Sequence, residues 1–585
     1  MSEFAVSRKT VRLRLIAGFI ITIILTFSLI GRLAWIQIAR ADELYEQAWE
    51  QWNHVAPVST GRGSIYDHQG RLLAGNKLVH TVAAIPPQIE DPQMVAEALA
   101  PVLDMDKQSI LEIITLERSA VYIKRKVEPE ISEAIREMNI PGIIFFNEEK
   151  RDYPGGDLAS QLLGFVGMDQ GWSGIEVYYD DYLGGSESNL YFPADAWGRQ
   201  VPHDFNRTVL PEQSRDLYLT IDETIQHIVE KELDQIMEEA APKQALAVAV
   251  DPKTGALLAA AGRPSYELLN YEDYDSNLWD LSPVTSSFEP GSTFKIITLA
   301  AVIEEGLFNP EEHYYCPGYV TVNGHRINCW TVDRGGHGDI TFHDSVGASC
   351  NPAFIELGNR IGAEKLFEYI HAFGFGSVTS IDYPGESSGM VFSTDDVGPL
   401  ELATTAFGQG ISVTPLQQAM AITAIANGGY LYRPYLVDHI QDSDGEIVFE
   451  QEPQMVRQVI SADTAEQVID LMESVILEGT GSTAQLEGYR AAGKTGTAEK
   501  LDDSGAYSSS DFIYSFVGFA PIEDPRIVLY VAVDSVSRGP RFGSYTSAPL
   551  FKTIMEESLN YLLVAPSELS EEDEEQQGEP DEING

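Results

Sequence analysis

A serine hydroxyl attacks a carbonyl only when a base within reach takes its proton. Ser292-Thr293-Phe294-Lys295 offers such a pair, and Lys295 is the only lysine of the chain with a serine three residues before it. Ser349-Cys350-Asn351 and then Lys494-Thr495-Gly496-Thr497 follow in chain order. Together they read S-x-x-K, S-x-N and K-T-G, a serine acyl-enzyme pattern in which the base is a lysine. A lysine of ordinary basicity, pKa about 10.4, is charged at neutral pH and cannot act as a base. Burial among apolar groups or a second cation must strip its proton. Phe294 and Ile296 supply apolar neighbours, and Lys494 supplies the cation. We therefore expect Ser292 to be the nucleophile and Lys295 the base, with Ser349 bridging the two lysines and passing a proton to the leaving group. Asn351 would hold a substrate amide. Lys494, with the hydroxyls of Thr495 and Thr497, would bind a carboxylate, and Gly496 would let a ligand backbone come close. The N–H groups of Ser292 and Thr497 would receive the oxyanion. Which group takes the serine proton is left open by the pattern itself.

These groups need elements to carry them. Pro290-Gly291 interrupts the chain before Ser292, and Ile296 to Ile303 is apolar up to Gly306, which predicts a buried helix with Ser292 in its first turn and Lys295 on the same face. Pro352 suits the first position of another helix. Arg490 to Glu499 reads as an edge strand. Two decoys fall outside the required order. Ser558-Leu559-Asn560 lies beyond the third motif. Lys253-Thr254-Gly255 precedes the first, between two apolar runs that predict a strand–turn–strand hairpin.

Longer stretches resemble the class B penicillin-binding proteins, monofunctional peptidoglycan D,D-transpeptidases. Glu289 to Lys295 is similar to the family's nucleophile segment, Phe407-Gly-Gln-Gly-Ile-Ser-Val-Thr-Pro-Leu-Gln417 to its segment between the second and third motifs, and Asp511 to Pro521 to the strand after the third. Arg62-Gly-Ser-Ile-Tyr-Asp-His-Gln-Gly-Arg-Leu-Leu-Ala74 resembles the opening of the family's pedestal domain, with His68 where arginine is usual. Arg151-Asp-Tyr-Pro154 and Gly174-Ile-Glu-Val-Tyr178 resemble later pedestal motifs. The resemblance implies an α/β (α+β) fold whose antiparallel five-stranded sheet is flanked by helices, preceded by a mixed pedestal domain and one transmembrane helix. It implies cross-linking of stem peptides that end in D-Ala-D-Ala, inhibition by β-lactams, no cofactor and no metal. It also implies a partner, a glycan polymerase of the SEDS family, among other wall-synthesis membrane proteins. The Phe407–Ser412 wording favours division over elongation. Hydrolases using the same acyl-enzyme, a D,D-carboxypeptidase or a β-lactamase, fit the motifs equally, and a β-lactam sensor or inert wall scaffold is the non-enzymatic alternative.

The ends of the chain fit this organisation. Leu15 to Gly31 and Leu33 to Ala39 carry no charge, and Arg8, Lys9, Arg12 and Arg14 precede them. A span of the bacterial cytoplasmic membrane with its N-terminus in the cytoplasm follows; the rival is a signal peptide cleaved near Ala39-Arg40-Ala41. The expected parts are a basic segment 1–14, an anchor 15–39, a pedestal 40–212, a transpeptidase domain 213–563 and a disordered acidic tail 564–585 containing Glu571-Glu-Asp-Glu-Glu575. A sensor would need an output domain on the cytoplasmic side, where only the short basic segment stands.

The formal net charge of the 585 residues is −51, which argues against nucleic acid as a partner. The site must therefore be locally positive, and Lys295, Lys494 and Lys500 are the expected source. High ambient salt would relieve the self-repulsion, so thermal stability should rise toward molar salt; a flat response would remove the idea. Among three cysteines, Cys316 and Cys329 flank a predicted hairpin. A disulfide between them is the first expectation for an exported domain and a free pair the second. A zinc site with His325 and His337 ranks last, because the spacing fits no usual pattern. Cys350 is expected to be a small buried residue turned away from the site.

Overall fold

The computed structural model describes residues 8–41, 43–44, 53–59, 61–118, 120–184, 187–193, 214–501 and 507–567. Most of the expected acidic tail therefore lies outside the described residues. The chain divides into two compact units, Met1–Thr60 with Gly185–Gln213, and Gly61–Gly184 with Ser214–Gly585.

In the first unit, helix α1 (Arg8–Ala34) runs on into a π-helical turn, Trp35–Ala39. The segment Lys9–Ala39 is long and apolar enough to cross a bilayer, and its side chains are unburied. Asn53–Ser59 pairs antiparallel with Glu187–Pro193.

The second unit holds two sheets. One has seven strands. Its long member, Leu72–Ala84, pairs with both Val121–Val127 and Ile143–Asp152. The short strand Ile65–Tyr66 pairs parallel with Asp216–Leu219, which pairs in turn with Val437–Gln441. The expected boundary at 212 and 213 falls outside the described residues, and the segments on either side of it share this sheet. The family-like motifs of the pedestal converge here on one buried ion cluster. Arg62 Nε and Arg151 Nε each donate to a different oxygen of Glu176 at 2.6 Å, and Arg62 Nη1 donates to Asp180 at 2.7 Å. Glu176 is completely buried, so two guanidiniums are what make its charge tolerable there.

The other sheet carries the site. Its surroundings, in chain order, are helix α2 (Glu223–Ala240), strands β1 (Gln244–Val250) and β2 (Leu257–Arg263), and helices α3 (Lys295–Glu304) and α4 (Asn351–Ala372, broken at Gly362). Strands β3 (Ala492–Leu501), β4 (Tyr507–Ala520) and β5 (Ile527–Asp534) and helix α5 (Ser547–Tyr561) complete it. The order is β3-β4-β5-β1-β2, and every pair is antiparallel. The five-stranded antiparallel sheet is thus as expected, and Lys253-Thr254-Gly255 is the turn between β1 and β2. Alternation explains why both faces are dry: Ala245, Ala247 and Ala249 join the core with Ile225, Val229, Phe551 and Met555 of α2 and α5. Leu246, Val248 and Val250 join the opposite core with Ile297, Ala300 and Phe354 of α3 and α4.

Candidate active site

Lys295 starts α3 immediately after a 3-10 turn, Gly291–Phe294, that holds Ser292. Every residue from Lys295 to Ile303 is buried, so α3 is a helix apolar on all sides, held by the core and not by an amphipathic stripe. Gly291 has φ +58 and lies where a side chain would sit 2.6 Å from the carbonyl oxygen of Thr497. Only glycine permits both that backbone conformation and that approach. The nucleophile's turn is thereby pressed against β3, the edge strand that carries the third motif.

The two lysines meet at one hydroxyl. Lys295 Nζ donates to Ser349 Oγ at 3.1 Å, to the Ser349 carbonyl at 2.8 Å and to Asn351 Oδ1 at 2.7 Å. Lys494 Nζ donates to the same Ser349 Oγ at 3.0 Å and to the Thr495 carbonyl at 3.1 Å. Ser349 reaches this position with φ 54, a left-handed conformation uncommon for a residue with a side chain. Its surroundings must hold that backbone in place, and Asn351, which opens α4, is part of how they do so. Its Nδ2 donates to the Asn328 carbonyl at 3.1 Å while its Oδ1 receives Lys295. Ser292 is half-buried, and its hydroxyl makes no hydrogen bond to any described residue.

Both lysines are 1% exposed. Burial pushes Lys295 down to about 8, although the Cys350 and Cys329 sulfurs nearby work the other way. Lys494 is also lowered well below the ordinary lysine range, first by burial and then by repulsion from Lys295. Two ammonium groups on one hydroxyl in a dry site cannot both keep a proton cheaply. Between them the pair therefore holds a neutral amine within the physiological range.

The first, second and third motifs thus come together as their chemistry requires. Thr497 is exposed on the free edge of β3, where a ligand can reach it. Thr495 is nearly buried, and its hydroxyl sits 2.9 Å from that of Thr480. Thr480 belongs to no motif; only its place on the loop after the helix Ala462–Leu477 brings it here. Three expectations change. The space a Gly496 side chain would take is filled by Ser515 Oγ (2.2 Å) and Thr293 Cγ2 (2.9 Å). On that face the glycine admits Ser515 of β4 and Thr293 of the nucleophile turn. Asn351 spends both ends of its amide on the protein. Lys500 pairs with Asp534 at 2.6 Å and takes no part in the lysine cluster.

The cysteines also depart from the first expectation. Cys316, Cys329 and Cys350 are all free and buried. Their sulfurs and a ring nitrogen of His337 lie within 4.8 Å of one another. His325, at the exposed end of the hairpin, is not among them. Cys350 is buried as expected, but it faces this cluster.

Comparison with known proteins agrees with the geometry. Residues 245–556 match the penicillin binding protein transpeptidase domain, and residues 57–219 match the penicillin-binding protein dimerisation domain. Stage V sporulation protein D of Bacillus subtilis is 41% identical over 568 residues, covering 96% of this chain and 88% of that protein. Peptidoglycan D,D-transpeptidase FtsI of Escherichia coli is 31% identical over 552 residues, with 93% and 90% covered. Among solved structures, penicillin binding protein 3 of Mycobacterium tuberculosis complexed with aztreonam superposes with a TM-score of 0.68 at 26% identity, covering 88% of this chain and 98% of that one. Penicillin binding protein 2X of Streptococcus thermophilus gives 0.71 at 25% identity, covering 87% and 80%.

Proposed function

The chain belongs to the class B penicillin-binding proteins, peptidoglycan D,D-transpeptidases that bind β-lactams, and from that premise we propose how its own residues divide the work. Ser292 attacks the carbonyl of the penultimate D-Ala of a stem peptide. The neutral amine of Lys295 takes the hydroxyl proton as the C–O bond forms. The N–H groups of Ser292 and Thr497 stabilise the oxyanion. Ser349, in hydrogen-bond contact with both lysines, delivers a proton to the departing nitrogen, and terminal D-Ala leaves. An amine of a neighbouring stem then attacks the ester, returns its proton through the same relay and releases Ser292. Lys494 and Thr497 hold the terminal carboxylate, with Thr495 steadied by Thr480. Gly496 acts as the close-packing position behind them, and Asn351 fixes Lys295. None of these steps calls on a cofactor.

The observation that carries this reading is the single Ser349 hydroxyl shared by two fully buried lysines. Fluorescent penicillin should label the wild-type chain on Ser292, shown by peptide mapping, and leave Ser292→Ala unlabelled. Label on another serine would refute the assignment. Turnover of penicillin at many molecules per second would favour the hydrolase alternative.

Around this chemistry we place a cytoplasmic basic segment 1–14, a membrane anchor 15–39, a pedestal 40–212 of the dimerisation type, a transpeptidase domain 213–563 and an acidic tail 564–585. The basic residues before the apolar helix favour an N-terminus inside and a catalytic domain outside. The pedestal is the surface offered to a SEDS-type polymerase. Wall synthesis at the division septum is the role favoured by the Phe407–Ser412 segment. The higher identity to a sporulation protein favours a second reading, septum or wall synthesis confined to spore formation. A deletion strain separates the two, since only the first would filament in vegetative growth.

A further inference from the structure

Beside the second catalytic motif lies a cavity that no step of acylation uses. Its volume is about 360 Å³, and Trp330, Asp344, Ala348, Glu478, Gly479 and Thr480 are among the residues that line it. Two of its walls belong also to the active site. Ala348 directly precedes Ser349, and the Thr480 hydroxyl sits 2.9 Å from that of Thr495. We propose that this cavity holds the incoming stem peptide, with Glu478 drawing in its ammonium group and Trp330 packing its aliphatic chain. This assignment rests on the transpeptidase reading and adds to it the place where the second substrate binds.

The position follows from the chemistry. In that reading Ser349 protonates the departing nitrogen, while Lys494 and Thr497 hold the carboxylate of the leaving residue. The reverse of this step is attack by an amine on the acyl-enzyme, so an acceptor nitrogen comes in along the path by which D-Ala goes out. One proton of the acceptor ammonium passes to solvent. The neutral nitrogen then forms the C–N bond while the ester C–O bond to Ser292 breaks, and its second proton reaches Ser292 Oγ through Ser349 and Lys295. The rest of the acceptor must lie beyond Ser349 and Thr495, and the cavity abuts the chain at both points.

The walls are held in place. The loop after the helix Ala462–Leu477 is pressed onto the segment before Ser349. Its Thr480 N–H donates to the Gly347 carbonyl at 3.2 Å, and a side chain on Gly479 would lie 2.6 Å from the same oxygen. The Thr480 carbonyl in turn accepts from Ser544 Oγ at 2.8 Å. Trp330 is 55% exposed, yet its indole N–H donates to the Ala348 carbonyl at 2.9 Å. That bond spends the one polar group of the ring and leaves an oriented apolar face, suited to an alkyl chain that ends in a cation.

Charge selects the class of ligand. Asp344 is engaged in the cap it forms with Thr341 and sits 3.4 Å from His343. Glu478 is exposed, and its carboxylate makes no hydrogen bond or ion pair to any described residue. It stands at the C-cap of the helix Ala462–Leu477, whose last turn has no basic residue. That end of a helix is itself negative, so the place is unfavourable for a carboxylate and favourable for a bound cation. A carboxylate ligand would be repelled here. An ammonium on a flexible chain satisfies both Glu478 and the ring face of Trp330.

The test uses the full chain in detergent, with a D-alanyl thioester that carries a terminal carboxylate as acyl donor. The acceptor is a short stem peptide with a free side-chain amine, and its N-acetylated form is the blank. Glu478→Lys should lower kcat/KM for the acceptor at least tenfold, through KM, and Glu478→Gln about threefold. Trp330→Ala should lower it at least tenfold. Trp330→Phe, which also loses the bond to Ala348 but keeps a ring, should recover most of that loss. Glu466→Gln, an exposed acid on the same helix, should change nothing. Penicillin labelling of Ser292 and hydrolysis of the thioester need no acceptor, and in Glu478→Lys both should stay within about twofold of wild type. Raising salt to about 0.5 M should weaken acceptor use in wild type more than in Glu478→Gln. The proposal is overturned, with the transpeptidase reading intact, if wild type transfers to the amine and Glu478→Lys and Trp330→Ala match it within twofold. It is equally overturned if penicillin labelling falls in step with transfer, because these residues would then serve acylation. A wild type that labels on Ser292 but sends every acyl group to water overturns the transpeptidase reading, and this proposal with it.

Discussion

The lowered basicity of the lysine pair makes a quantitative claim about pH. A lysine of ordinary pKa, 10.5, would be neutral in about 0.03% of molecules at pH 7, whereas one pushed down to about 8 is neutral in about 10%. The ratio is about 300-fold in available base, or about 3 kcal/mol of barrier if proton removal accompanies attack. The sign follows from the role. Acylation needs the amine without its proton, so its rate should rise with pH and level off once the proton has left, near pH 8. The groups facing Lys295 each contribute. Asn351 Oδ1 and the Ser349 carbonyl accept from Nζ, Phe354 offers its ring face at 5.3 Å, and the Cys350 and Cys329 sulfurs favour the charge. Because the lysines are coupled, the limb belongs to the pair. Lys295→Arg, which stays charged throughout, should abolish acylation. Stopped-flow acylation by a fluorescent penicillin from pH 6 to pH 10.5 measures this. A rate still climbing tenfold per pH unit between 9 and 10.5 would mean that burial does not neutralise Lys295, and the proposed base would be wrong.

Two further perturbations test the scaffold. Glu176→Ala would leave Arg151 buried without its carboxylate and Arg62 with Asp180 alone, so unfolding should become easier by about 3–5 kcal/mol; chemical denaturation reads this, and a loss below about 1 kcal/mol would make the cluster incidental. Gly496→Ala would place a methyl group 2.2 Å from Ser515 Oγ and 2.9 Å from Thr293 Cγ2. It should cost about 1–3 kcal/mol of stability and slow acylation at least tenfold, with Ser515→Ala in the same chain recovering part of both; thermal unfolding and labelling rates decide it.

What could be read from the sequence depended on how local each constraint was. Ser292 and Lys295 are one helical turn apart, and the apolar run behind them can only be a buried helix, so their relation needed no tertiary information. The β1–β2 hairpin and the edge strand β3 were equally legible, because a turn and a two-residue alternation are written into consecutive residues. The meeting of Lys295 with Lys494 at Ser349 could be expected only because three motifs stood in order. Thr480 was invisible, since nothing around it differs from an ordinary loop. Gly496 was legible as a close approach, but the sequence does not say what approaches, and here it is the protein itself.

The cysteines show where spacing arguments stop. Spacing could not show that Cys316, Cys329, His337 and Cys350 meet, because their segments return to one point only through tertiary folding. Strands His313–Cys316 and Gly338–Thr341 pair so that Cys316 stands opposite Gly338, beside His337. The hairpin Tyr319–Val322 with His325–Asn328 carries Cys329 back to Gly318, where its N–H donates to the Gly318 carbonyl at 2.8 Å. Helix α4 then delivers Cys350 from the other side. The residue that looked like filler within the second motif is the one that joins this buried cluster to Ser349 and Asn351. A substitution at Cys350 should therefore alter penicillin labelling through the geometry of its two neighbours, Ser349 and Asn351, which contact Lys295.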